Sequence, residues 1–185
     1  MQLIKKYNYA DLKREDGDVR LYLTPDGESL PSVTSVLNKT KDRSFLKKWR
    51  EKVGEKKAEK MAKKIIDETA KDITDVWGSE VHLYYPEKYA GTTDMVAIYK
   101  GKPAIIDFKQ TNRPKKREWV QDYLMQLAAY AQAHNKLFGT EIEQGVILMC
   151  SRDLTFQRFE LEGANFHRAF DTFMKKLDLY LQSII

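Results

Sequence analysis

Gly91-Thr-Thr-Asp-Met-Val-Ala-Ile-Tyr-Lys-Gly-Lys-Pro-Ala-Ile-Ile-Asp-Phe-Lys109 is the stretch on which the fold of this chain turns. Thr92–Tyr99 and Lys102–Lys109 both read as strands, and Lys100-Gly101 between them suits the two-residue connection of a tight hairpin. Counting outward from that turn sets Tyr99 opposite Lys102 and Asp94 opposite Asp107. Directly opposed residues share a face, with Cβ atoms ~4.5–5.5 Å apart, and like charges so placed repel. A divalent cation relieves the repulsion, since hard ions such as Mg2+ are held by one or two carboxylates plus substrate phosphate oxygens. Lys109, two residues past Asp107, points to the same face. Two acids and a lysine there form a compact centre for cutting phosphodiesters. The plain alternative has Asp94 capping a turn and Asp107 paired with Lys109 on a solvated face. Against it, Ile105-Ile106 keeps the strand apolar up to Asp107, as in a central strand whose end reaches the surface.

Working outward, Ser79–Tyr85 alternates as a strand, Pro86–Gly91 turns the chain into the hairpin, and Asp72–Gly78 reads as a loop. Glu118 to Phe138 is the strongest helix. Val120, Leu124, Leu127 and Ala131 form one stripe of it, and Trp119, Tyr123, Gln126 and Tyr130 another. Gly145–Cys150 and Thr155–Leu161 are further strands. Ala164–Ile184 is an amphipathic helix carrying Phe166, Phe170, Phe173, Leu177 and Leu181. Before the hairpin, residues 1–30 look like a small β region with Tyr7–Tyr9 and Val19–Leu23 alternating. Pro31–Leu37 follows, a short helix capped by Ser32 or a strand. Phe45 to Ala70 is helical, with Gly54 as a break. The order (helices, a three-strand meander, a helix, two strands, a helix) predicts an α/β domain with a mixed central sheet flanked by helices.

The chain has 185 residues, read as one domain over 1–185, with 32% charged and 42% hydrophobic residues, a globular balance. The subdivision is an N-terminal β/helical region over 1–70, a core over 76–163 and a C-terminal helix over 164–185. A single cysteine, Cys150, rules out an intramolecular disulfide and fits a reducing compartment such as the cytoplasm; its apolar strand context marks a structural thiol. No apolar run approaches a membrane span, and the N-terminus lacks the layout of a signal peptide. The net charge is +5 with a pI of 9.1. Basic residues gather between Lys39 and Lys64, where acids at helical spacing point to a solvated helix face, and at Arg113-Pro-Lys-Lys-Arg117, which is purely basic and follows Lys109 closely.

Gly91-Thr-Thr-Asp94, Asp107-Phe-Lys109 and Gln126-Leu-Ala-Ala-Tyr130, in that order, resemble the PD-(D/E)XK nuclease superfamily. More narrowly they resemble its RecB-like branch and the phage and mitochondrial genome-maintenance exonuclease group. Pro31–Leu37 and Leu46-Lys-Lys-Trp-Arg50 are similar to that group's N-terminal region. The resemblance implies a restriction-endonuclease-like core and a DNA exonuclease dependent on Mg2+ or Mn2+. It would act on single strands or free ends in phage DNA processing, recombination or repair, in the host cytoplasm. Asp94 and Asp107 would be metal ligands, with Glu80 as a further acid. Lys109 would orient or activate water and offset phosphate charge. Gln126 and Tyr130 would support the lysine and the DNA. Thr111 and the loop Arg113, Lys115, Lys116, Arg117 would meet phosphates, and Trp119 or Tyr123 would stack bases.

One departure from the group's pattern stands out. A Gly-x-x-x-His helix precedes the Glu80 strand there, whereas here Ile65–Ala70 runs to Val76–Glu80 without such a histidine. His82, on the strand of Glu80, reads as a partner or a plain strand residue, and His134 and His167, on helices without metal-ligand spacing, read as structural. A structure-specific endonuclease with the same centre, or a DNA-binding remnant impaired in catalysis, are the alternatives.

Overall fold

The computed structural model describes residues 1–38 and 55–184. Its centre is a six-stranded mixed sheet in the order β1-β5-β6-β7-β8-β9. Here β1 is Gln2–Leu3, β5 Ile73–Tyr85, β6 Tyr89–Tyr99, β7 Lys102–Thr111, β8 Gln144–Ser151 and β9 Phe156–Glu162. A second sheet of three antiparallel strands, β2 (Lys13–Asp16), β3 (Arg20–Leu23) and β4 (Ser29–Pro31), precedes the core. The helices are α1 (Val33–Asn38), α2 (Glu55–Thr69), α3 (Gln121–Phe138) and α4 (Gly163–Gln182). This is the α/β architecture with a mixed, helix-flanked sheet that the element order predicts.

Strand alternation explains the layering. Val96, Ile105, Ile147 and Met149 project to one face and pack with buried residues of α1, α3 and α4. Ala97, Ala104, Ile106, Val146 and Leu148 project to the other and receive Met61 and Ile65 of α2. Cys150 is buried on that second face, as a structural thiol should be. The β7–α3–β8 segment makes one of the two parallel pairs of the sheet (β1 with β5 is the other), with Asp107 beside Ile147 and Lys109 beside Met149.

The hairpin forms in the expected register: Tyr99 pairs with Lys102 and Met95 with Ile106. Lys100 and Gly101 both adopt positive φ, 48° and 81°, as a two-residue turn matched to strand twist requires. Ser32 caps α1, its Oγ accepting the Ser35 N–H at 3.0 Å, which resolves Pro31–Leu37 as helix.

Four expectations are corrected. Asp72–Gly78 is no loop, because β5 starts at Ile73; register shifts between Ile73, Val76 and Gly78 break the period-two pattern that would have revealed it. Tyr89–Gly91 belongs to β6, and the turn shrinks to Pro86–Lys88, with Lys88 N–H bonded to the Tyr85 carbonyl at 3.0 Å. The helix expected from Glu118 opens as a 3-10 turn over Arg117–Val120 before α3. Tyr7–Tyr9 forms no strand; both rings pack with His134 and Phe138 instead. Of the helix expected over Phe45–Ala70, the part from Phe45 to Gly54, with Leu46–Arg50, lies outside the described residues.

Candidate active site

Strands β6 and β7 pair only from the turn to Met95 and Ile106. Beyond that point β6 continues with β5 as its partner, to Tyr85 opposite Tyr89, while β7 continues with β8, to Thr111 beside Ser151. The sheet therefore forks. Asp94 and Asp107 are the first residues past the last paired rung, one on each arm. At the fork the Phe108 N–H has lost its strand partner, and Asp94 Oδ2 accepts it at 2.8 Å.

Asp107 shares the face of Ile105 and looks toward α3. The residue is 6% exposed. Lys109 Nζ donates to Asp107 Oδ1 at 2.9 Å and lies 2.7 Å from Oδ2, so the ammonium engages both oxygens of the buried carboxylate. Burial drives the Asp107 carboxyl up to about 6; Lys109 opposes that rise and the neighbouring Asp94 adds to it. For Lys109, burial works against the charge, but attraction to Asp107 outweighs it and its ammonium is held more firmly than usual.

Helix α3 lays the second row alongside. Gln126 Nε2 donates to Tyr130 Oη at 3.0 Å. Tyr130 is buried against Gly91, where a built Cβ would lie 2.6 Å from Tyr130 Cε1. Only a residue without a side chain lets β6 come this near the phenol. Seven residues before Tyr130, Tyr123 takes Lys109 Nζ over its ring at 5.0 Å, and Trp119, half-exposed, has Arg113 and Lys116 near its ring at 5.9 and 5.7 Å. Trp119, Tyr123, Gln126 and Tyr130 thus line one edge running from the basic loop to the fork.

The other expected residues sort differently. Thr111 Oγ1 donates to the Arg113 carbonyl and shapes the loop. Lys115 is fixed through its backbone, N–H to Gln157 Oε1 at 2.7 Å and carbonyl from Gln157 Nε2 at 2.9 Å. The Arg117 guanidinium donates to the Glu160 carbonyl on outer strand β9, away from the Trp119 row. Glu80 stands level with Asp94, between the pairs Ser79–Met95 and Val81–Thr93, but it is exposed and has φ of 52°. Among the described residues no three His, Cys, Asp or Glu side chains are grouped to hold a metal ion. Glu80 is therefore not gathered with the two aspartates.

The histidines are structural. His82 Nδ1 accepts the Leu12 N–H at 3.0 Å; His134 is buried between Tyr9 and Thr140; His167 meets Glu143 at the surface. The helix that directly precedes β5 is α2, Glu55–Thr69, and it carries no histidine. One contributor escapes sequence reading: Tyr22 of β3, buried, whose Oη is 3.1 Å from Thr92 Oγ1. No spacing in the sequence links Tyr22 to Thr92; only docking of the small sheet on β6 does.

A buried acid–lysine pair beside a second acid, at a fork in a mixed sheet, defines a candidate hydrolytic centre. The chain belongs to the PD-(D/E)XK nuclease superfamily, whose family profile matches residues 18–179. Comparison with curated proteins gives no match. Among solved structures, SSO0001 is 20% identical with a TM-score of 0.33, over 53% of this chain and 50% of that one. The match thus spans half of SSO0001. An alkaline exonuclease (LHK-Exo) from Laribacter hongkongensis is 11% identical with a TM-score of 0.36, over 82% of this chain and 78% of that one. No helix among the described residues is long and apolar enough to cross a membrane.

Proposed function

We propose that this chain is a divalent-metal-dependent deoxyribonuclease of the RecB-like branch, an exonuclease acting on single-stranded DNA or free ends. The observation that carries it is the Asp107 carboxylate: buried, paired with Lys109 through both oxygens, and set beside Asp94 at the fork. A buried carboxylate next to a second acid fits a hard cation held by one or two carboxylates plus substrate oxygens. Asp94 and Asp107 would hold Mg2+ or Mn2+, and Glu80 would join only by turning inward from its exposed position. When bound, the cation would stabilise the charge that develops on the phosphate.

The chain's own residues supply the rest. Lys109, kept charged by Asp107, offsets phosphate charge and orients the attacking water. Gln126 and Tyr130 hold the floor of the site rigid beneath Gly91. Arg113, Lys116 and Trp119 offer a cationic, aromatic surface on which a strand lies with bases stacked. Phage DNA processing, recombination or repair in the host cytoplasm is the setting that the ordered motifs favour.

Linear and circular single-stranded DNA, each with Mg2+ or Mn2+ and with chelator, test this function. Metal-dependent release of nucleotides from the linear form alone is expected. Cutting of circles would make the protein an endonuclease, and binding without cutting would make it an impaired remnant.

A further inference from the structure

The basic residues of α2, which in sequence look like a solvated helix face, divide into two groups in space. Lys63 and Lys64 are each committed to a carboxylate one turn on, Asp67 at 2.9 Å and Glu68 at 2.7 Å. Lys56, Lys57 and Lys60 are exposed and, among the described residues, have no ion-pair partner. These three line a groove of about 410 Å3 with Arg152, Asp153 and Leu154 of the β8–β9 turn. Asp153 forms no ion pair with them and leaves the groove an excess of positive charge. Its carboxylate accepts from Ser151 Oγ and from the Thr155 N–H, and these bonds hold its pKa low by closing the turn.

The groove is fastened to the catalytic strand. Gln110, next to Lys109, donates from Nε2 to the Ala58 carbonyl at 3.0 Å, within the turn that carries Lys57. Arg152 N–H bonds the Thr111 carbonyl at 3.0 Å, at the start of the Arg113–Arg117 loop. The cations therefore sit at the same end of the sheet as the open fork, but on its α2 face. Trp119, Arg113 and Lys116 occupy the α3 face of that end.

We propose that this groove binds the phosphate backbone of single-stranded DNA beyond the cleaved bond, so that the substrate wraps over the carboxyl ends of β7 and β8. The inference rests on the nuclease function proposed above. A row of three unpaired lysines, in excess over the one acid that lines the groove, suits successive phosphates.

The test is equilibrium binding of oligothymidylates to the full chain in chelator, where no cutting occurs. Lengths of about 5 and about 25 nucleotides bracket the span of one compact site and of an extended one. The triple variant Lys56→Gln/Lys57→Gln/Lys60→Gln is compared with wild type. The longer strand is expected to bind roughly tenfold more weakly, with a salt slope shallower by about 2, since each lost phosphate contact removes ~0.7. Binding of the shorter strand should be unchanged. No loss for the longer strand, or equal loss for both lengths, overturns the groove as an extension of the site. Wild type that binds neither length overturns the nuclease function itself, whereas wild type that binds with an indifferent variant overturns the groove alone.

Discussion

Asp94 Oδ2 accepts the Phe108 N–H at 2.8 Å, joining β6 to β7 just past their last paired rung. One carboxylate thereby closes the fork and offers its other oxygen to the site. Asp94→Asn keeps an oxygen acceptor and should fold with a stability close to wild type, while Mn2+ affinity measured by calorimetry falls. Asp94→Ala strips the acceptor and should cost a further ~1–3 kcal/mol in denaturant unfolding. Equal stability for the two variants would mean that the bond contributes nothing.

Gly91 faces Tyr130 at a distance that admits no Cβ. Gly91→Ala should destabilise by ~1–3 kcal/mol through overpacking. Combining it with Tyr130→Leu should recover part of that loss. A double-mutant cycle with no coupling would refute the contact.

Trp119 is half-exposed, with two cations near its ring. Trp119→Ala should leave the melting temperature unchanged and weaken single-stranded DNA binding by ~1–3 kcal/mol, read by fluorescence anisotropy.

His134 provides the pH dependence of stability. Thr140 Oγ1 donates to Asn135 Oδ1, so His134 Nδ1–H donates to Thr140, and Tyr9 Oη donates to the bare Nε2. Burial among Tyr7, Tyr9, Trp77 and Phe138, with Lys6 adding a like charge, lowers the imidazole to about 4 from 6.5. The folded pKa lies below the unfolded one, so the unfolded chain takes the proton first. Stability from this residue is intact above the unfolded value near 6.5 and drains as pH falls toward 4, by about 3 kcal/mol. Urea unfolding at stepped pH should show that slope, and His134→Gln should lack it.

The hairpin was legible because its turn residues and apolar alternation agree, and the pairing register follows from the two-residue turn alone. The fork was not. Its position depends on β6 and β7 each preferring a different outer partner, a tertiary choice that strand patterning does not encode. The same holds for β5, whose bulges hide its first half, and for Glu80, whose positive φ leaves it exposed where alternation alone would have lined it up with Asp94. The α3 row was readable as a stripe at helical spacing, and Tyr123 over Lys109 and Tyr130 under Gly91 give it a place. The basic loop was readable only as charge. Folding spends Arg117 on a backbone carbonyl and leaves Arg113 and Lys116 beside Trp119.

The most direct test sets wild type against Asp107→Ala on linear single-stranded DNA with Mg2+ or Mn2+, with binding measured in parallel. Wild type is predicted to release nucleotides only when metal is present, and the variant to bind DNA while releasing none. A wild-type protein that binds DNA and never cuts it, or a variant that cuts as fast as wild type, would contradict a metal-assisted centre built on Asp94 and Asp107.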